Sequence, residues 1–154
     1  MKQKKNIKSS MKKIILDTNV IVSAAIAQGY SRKIVKSILV EEELFEICIT
    51  SDILKEYEKV STYNRIQKKY PEFKHNVLKI IAALNDLSIK YLSQKKFEII
   101  KKDVTDNKFL DLAYEAKADY LTTGNRNHFS ITHFEQTKIV SPKEFCQLYE
   151  ANAL

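Results

Sequence analysis

Three acidic residues occupy positions where a carboxylate needs a partner to be tolerated. Asp17, in LDTN, is the first polar residue after the short apolar run that ends at Leu16. Glu56 belongs to ILKEY. On a wheel of about 100° per residue, it lies about 40° from Val60 and about 60° from Ile53. Those two residues, with Leu54 and Tyr57, define the buried face, and Glu58 falls opposite. Asp106 opens a segment with Phe109, Leu110, Ala113 and Ala116 at helical spacing, and it sits on that apolar side while Asp111 and Glu115 point away. Each acid also has a plainer reading. Asp17 and Asp106 suit helix caps, with Asp103 competing for the second place, and Glu56 can pair with a neighbouring lysine or reach solvent. If the three converge, their mutual repulsion raises each pKa unless a cation neutralises them, and an all-oxygen set suits Mg²⁺ or Mn²⁺.

The elements around these acids alternate between strand and helix. Lys13 to Leu16 reads as a buried parallel strand and Phe45 to Ile49 as a second. Helical spacing runs through Val20–Ala27, Ser31–Val40 and Phe73–Leu87, and Thr50 and Ser51 supply N-cap chemistry for a helix through Val60. Ser88 to Ile100 alternates weakly, enough for one or two short strands. Asp106 to Lys117 is helical, Tyr120 to Thr123 and Lys138 to Val140 are strands, and Ser141 caps a last helix begun by Pro142. The fold class is therefore α/β: a parallel sheet of about five strands flanked by helices, with ligands expected outside the strands' carboxyl ends.

Composition sets the limits. The 154 residues correspond to one domain, and 44% hydrophobic with 29% charged residues is an ordinary globular mixture. Two Gly and two Pro argue against a turn-rich all-β protein, and the apolar stretch Val20–Ala27 is too short to span a membrane. Cys48 and Cys146 lack metal-ligand spacing and read as buried free thiols of a cytoplasmic protein. The net charge of +7 favours polyanionic partners without identifying one. Lys2, Lys4, Lys5 and Lys8 concentrate that charge in residues 1–10, which read as a flexible basic tail ahead of a domain over 11–154. No apolar core follows them before Ile14, so they do not form a signal peptide. Gly-rich phosphate loops and GxSxG elbows are missing, and His75, His128 and His133 share no ligand spacing. A haloacid-dehalogenase-type phosphatase would need a second Asp where Asn19 stands.

Three blocks in order, KKIILDTNVIVSAAI at 12–26, TSDILKEYEKV at 50–60 and DVTDNKFLDLAYEAKADYLTTGNRNHF at 103–129, resemble a PIN domain. The likeness is to the VapC-like toxins of type II toxin–antitoxin pairs. It implies a Rossmann-like sheet carrying a metal-dependent endoribonuclease for single-stranded RNA. The family acids fall on Asp17, Glu56 and Asp106, which would hold Mg²⁺ or Mn²⁺. A fourth position, usually Asp after a Thr-Gly pair, falls on Asn125, which removes one negative charge. Asn19 and Thr123 would orient ligands or water around the acids, and Lys108 and Arg126 would hold RNA backbone. The resemblance further implies a cognate antitoxin and a homodimer. If Asn125 cripples the site, the alternative is a non-catalytic PIN module that binds RNA or protein.

Overall fold

The structure is a computed structural model that describes residues 11–100, 106–125, 129 and 131–154. The basic segment 1–10, Asp103, Arg126 and His128 lie outside the described residues.

The chain begins with strand β1 (Lys12–Leu16), followed by helices α1 (Thr18–Ile26) and α2 (Tyr30–Val40). Strand β2 (Phe45–Ile49) leads into α3 (Ser51–Val60), a short α4 (Asn64–Lys69), the long α5 (Phe73–Leu87) and the two-residue β3 (Ile89–Lys90). Helix α6 (Asn107–Ala116), β4 (Tyr120–Thr122), the hairpin strands β5 (His133–Phe134) and β6 (Thr137–Val140), and α7 (Pro142–Glu150) complete it.

The sheet order is β3-β2-β1-β4-β6-β5. All neighbours run parallel except β5, which pairs antiparallel with β6 through His133–Lys138 and Phe134–Thr137. The expected parallel sheet is present, and the difference is this sixth, antiparallel edge strand. β1 lies at the centre, with Ile14 in register with Ile47 on one side and Tyr120 on the other. Ile14, Ile15 and Leu16 are all buried, which requires cover on both sheet faces and explains the unbroken apolar run. Helix α6 packs across β1 and β2, while α1 packs on α2, α3 and α5. In α5, Phe73, Val77, Ile81 and Leu84 recur at helical spacing and are all buried.

Local chemistry fixes the helix ends nearest the strands. The Thr50 side chain accepts from the Ile53 amide at the start of α3. Ser141 and Glu144 form a reciprocal capping box on α7, with Pro142 in its first turn.

One expectation on α6 is overturned. Asp111 does not point to solvent: it is buried, because residues 97–100 lie over that helix. The Phe97 amide donates to Asp111 Oδ1 at 2.8 Å, and the Ile99 and Ile100 amides both donate to Asn107 Oδ1. A helical wheel cannot register a face covered by a distant, irregular segment. Cys48 and Cys146 are buried free thiols, as expected. Among the described residues no helix is long and apolar enough to cross a membrane.

Candidate active site

Adjacent parallel strands end together at the centre of the sheet. The Asp17 amide, just past β1, donates to the Thr122 carbonyl at the end of β4 at 2.9 Å, so Asp17 and Thr123 emerge side by side. Between β2 and β4 the chain leaves β1 for a helix, and the carboxyl ends of such strands open into a crevice. A cleft of about 770 Å³ occupies that position. Asp17, Glu56, Asp106, Lys108 and Asn125 all line it.

Asp17 is 3% exposed. It stands at the N-cap position of α1 but makes no capping hydrogen bond. Its carboxylate is turned to the neighbouring strand end instead: Oδ2 accepts from Thr123 Oγ1 at 2.7 Å and from Asn19 Nδ2 at 3.2 Å. Asn19 is itself fixed, because its Oδ1 accepts from the Gly124 amide at 2.9 Å. Thr123 Oγ1 also accepts from the Asn125 amide at 3.1 Å. Thr123, Asn19 and the 124–125 backbone therefore form a closed frame around one carboxylate. The absence of a side chain at Gly124 allows this approach, since a Cβ there would stand 3.3 Å from Asn19 Oδ1.

Glu56 and Asp106 reach the cleft from two helices. Helix α3 is locked to β1 by Tyr57, whose buried hydroxyl donates to the Leu16 carbonyl one residue before Asp17. The adjacent Glu56 accepts from Thr18 Oγ1 and is ion-paired with Lys108 Nζ, with both side chains about a quarter exposed. Asp106 is buried at the N-cap position of α6 and makes no capping bond there. Burial is the main reason the Asp17 carboxyl rises from 3.8 to about 7. The charges of Asp106 and Glu56 push it further up, against hydrogen bonds from Thr123 and the Thr18 backbone.

This arrangement can accept a hard cation. Three carboxylates share one cleft, and burial, with the charges of the other two, pushes Asp17 toward protonation. As the side chains stand, no three His, Cys, Asp or Glu among the described residues are drawn together as a ligand cage. Lys108 already supplies a positive charge to Glu56, so an incoming cation must displace that ammonium. The donor chemistry fits Mg²⁺ or Mn²⁺, with Glu56 paired to Lys108 as the side chains stand. That pairing also gives Lys108 a partner across the cleft, where the sequence offered it as a backbone-holding residue.

Several residues that line or support the cleft had roles the sequence did not show. Thr18 and Tyr57 act through bonds to partners 38 and 41 residues away, which no local pattern reveals. Lys55, Lys59 and Tyr63 also line the cleft. For Lys59, three residues after Glu56 on α3, that spacing was a usable signal, whereas Lys55 is the adjacent position and Tyr63 lies beyond the helix.

Comparison with known proteins agrees with this architecture. The family model described as PIN domain matches residues 13–127. An uncharacterised protein of Methanocaldococcus jannaschii is 30% identical over 146 residues, covering 90% of this chain and 92% of the relative. No solved structure matches the chain significantly. PIN domains are generally nucleases. With the family model spanning the sheet from β1 to beyond β4 and all three acids, this chain belongs to the PIN-domain family.

Proposed function

We propose that the protein is a metal-dependent endoribonuclease that hydrolyses phosphodiester bonds of single-stranded RNA. The observation that carries this reading is that Asp17, Glu56 and Asp106, from three separate parts of the chain, line one cleft at the carboxyl ends of β1 and β4. Asp17, Glu56 and Asp106 would hold Mg²⁺ or Mn²⁺, which when bound neutralises charge on the phosphate and activates the attacking water. Thr123 and Asn19 keep Asp17 in one orientation, so that no reorganisation is needed when substrate arrives. Asn125 borders the same space and can offer an amide or carbonyl to substrate, but no charge.

The three blocks at 12–26, 50–60 and 103–129 support a finer reading: a type II toxin acting in the cytoplasm as a homodimer and held by a cognate antitoxin. Expression that arrests growth, relieved by co-expressing the product of a small adjacent reading frame, supports that role; harmless expression of active enzyme counts against it. A second reading has its own observation. The Lys108–Glu56 ion pair and the uncharged Asn125 both lower the negative charge available to a cation, as in a PIN module that only binds.

End-labelled single-stranded RNA, duplex RNA and single-stranded DNA, each incubated with Mn²⁺ or with EDTA, separate these readings. The expected result is cutting of single-stranded RNA that EDTA abolishes and that Asp17→Asn protein lacks. Binding without cutting, unchanged by EDTA and by Asp17→Asn, favours the non-catalytic module.

A further inference from the structure

The cleft has two chemically different parts. Its base is acidic, and the wall formed by α3 and the Tyr63 turn after it carries Lys55, Lys59 and one aromatic side chain, with Asp52 the acid at its far end. Lys55 and Lys59 both line the cleft and are exposed, and among the described residues neither is held in an ion pair. They lie four residues apart on α3, a step of about 6 Å along the helix axis and of the same order as the step between phosphates of an extended strand. Next in line is Tyr63, which caps α4, lines the cleft and is 41% exposed. Its ring pairs with no other aromatic among the described residues. The contrast with Tyr57 is useful: that ring is fully buried and its hydroxyl is committed to Leu16. Beyond Tyr63, α4 reads NRIQKK, with three positive charges, no acid and no buried residue.

Apart from the half-buried Ile66, α4 contributes little to the core, and its exposed charges serve whatever lies against it. A lysine pair spaced along one helix face supplies point charges for consecutive phosphates, and an exposed ring beside them supplies a stacking surface. Stacking on that ring requires a base free of its own neighbours, which a duplex does not offer.

We propose that Lys55, Lys59 and Tyr63 form the track for a single strand leaving the carboxylates. The two lysines hold successive backbone phosphates, one unstacked base lies on Tyr63, and the basic face of α4 carries the strand onward. This rests on the ribonuclease reading for its chemistry but concerns a separate set of residues. It also assigns backbone contact to α3, where the sequence had offered Lys108.

The test measures binding of a fluorescein-labelled twelve-residue oligouridylate by anisotropy in EDTA, where no cutting occurs, across a range of salt concentrations. The full chain is compared with Tyr63→Ala, Tyr63→Phe and the double variant Lys55→Ala/Lys59→Ala. Tyr63→Ala should weaken binding roughly 5- to 100-fold while Tyr63→Phe stays near the parent, as expected for loss of one stacked base. The double variant should lower the slope of log affinity against log salt by about 1.4, corresponding to two phosphates of a single strand. Duplex RNA of the same length should be indifferent to Tyr63→Ala. Hydrolysis of bis(p-nitrophenyl) phosphate by the parent protein with Mn²⁺ reads the acidic base separately from the track. Unchanged affinity in Tyr63→Ala together with an unchanged salt slope overturns the track, as does failure of the parent to bind the oligomer. If the variants respond as expected but no phosphodiester is hydrolysed, the ribonuclease reading fails and the track stands.

Discussion

Replacing Asp17 with Asn isolates what it costs to hold a carboxylate in this cleft. Burial raises the carboxyl from 3.8 to about 7, and Asp106 and Glu56 add to the rise. Between those values the native state holds a proton that the unfolded chain has released. Native stability therefore falls as pH rises through this window, and the loss is complete above the folded value. At about 1.36 kcal/mol per pKa unit, the penalty amounts to roughly 2 kcal/mol at pH 5 and about 4 kcal/mol at pH 8, and it disappears below about pH 4. Asn cannot ionise, and its carbonyl oxygen placed where Oδ2 stands still accepts from Thr123 and Asn19. The Asp17→Asn protein should therefore be more stable than the parent, with a gain about 2 kcal/mol larger at pH 8 than at pH 5. Urea unfolding in EDTA at the two pH values measures this difference. Adding Mn²⁺ at pH 8 should narrow the gap by stabilising only the parent. A gain that is the same at both pH values, or a loss at both, refutes the view that Asp17 is an uncompensated buried charge.

Other substitutions probe the frame and the competing cation. Lys108→Gln frees Glu56 from its ammonium partner and should tighten Mn²⁺ binding roughly 2- to 5-fold by calorimetry, the range expected of a partly exposed ion pair. Gly124→Ala forces a Cβ to 3.3 Å from Asn19 Oδ1 and should slow RNA cleavage by about 10-fold with little loss of stability, read from single-turnover rates and thermal melting. Tyr57→Phe deletes a buried hydroxyl and leaves the Leu16 carbonyl without that donor; urea unfolding should show a loss of about 1–3 kcal/mol.

What was legible in the sequence follows from how local its cause is. β1 was readable because burial on both faces forces an unbroken apolar run, and α5 because its stripe repeats over four turns. The margin position of Glu56 on α3 was also computable, since it depends only on the period of one helix. The helix α4 was missed because it buries no residue and so carries no stripe. β5 was missed because two residues show no period, and its existence depends on pairing with β6. Asp111 was placed on the wrong side because its cover comes from residues 97–100, outside its helix. Likewise, the Glu56–Lys108 pair joins two helices 52 positions apart, so sequence offered each a role but not each other.

The most direct measurement is calorimetric titration of Mn²⁺ into the full chain, beside Asp17→Asn and Glu56→Gln. A cation held by the three acids predicts one ion per chain in the parent, loss of binding in Asp17→Asn and weakened binding in Glu56→Gln. Binding in Asp17→Asn equal to that of the parent, or none in either, contradicts a metal centre in this cleft.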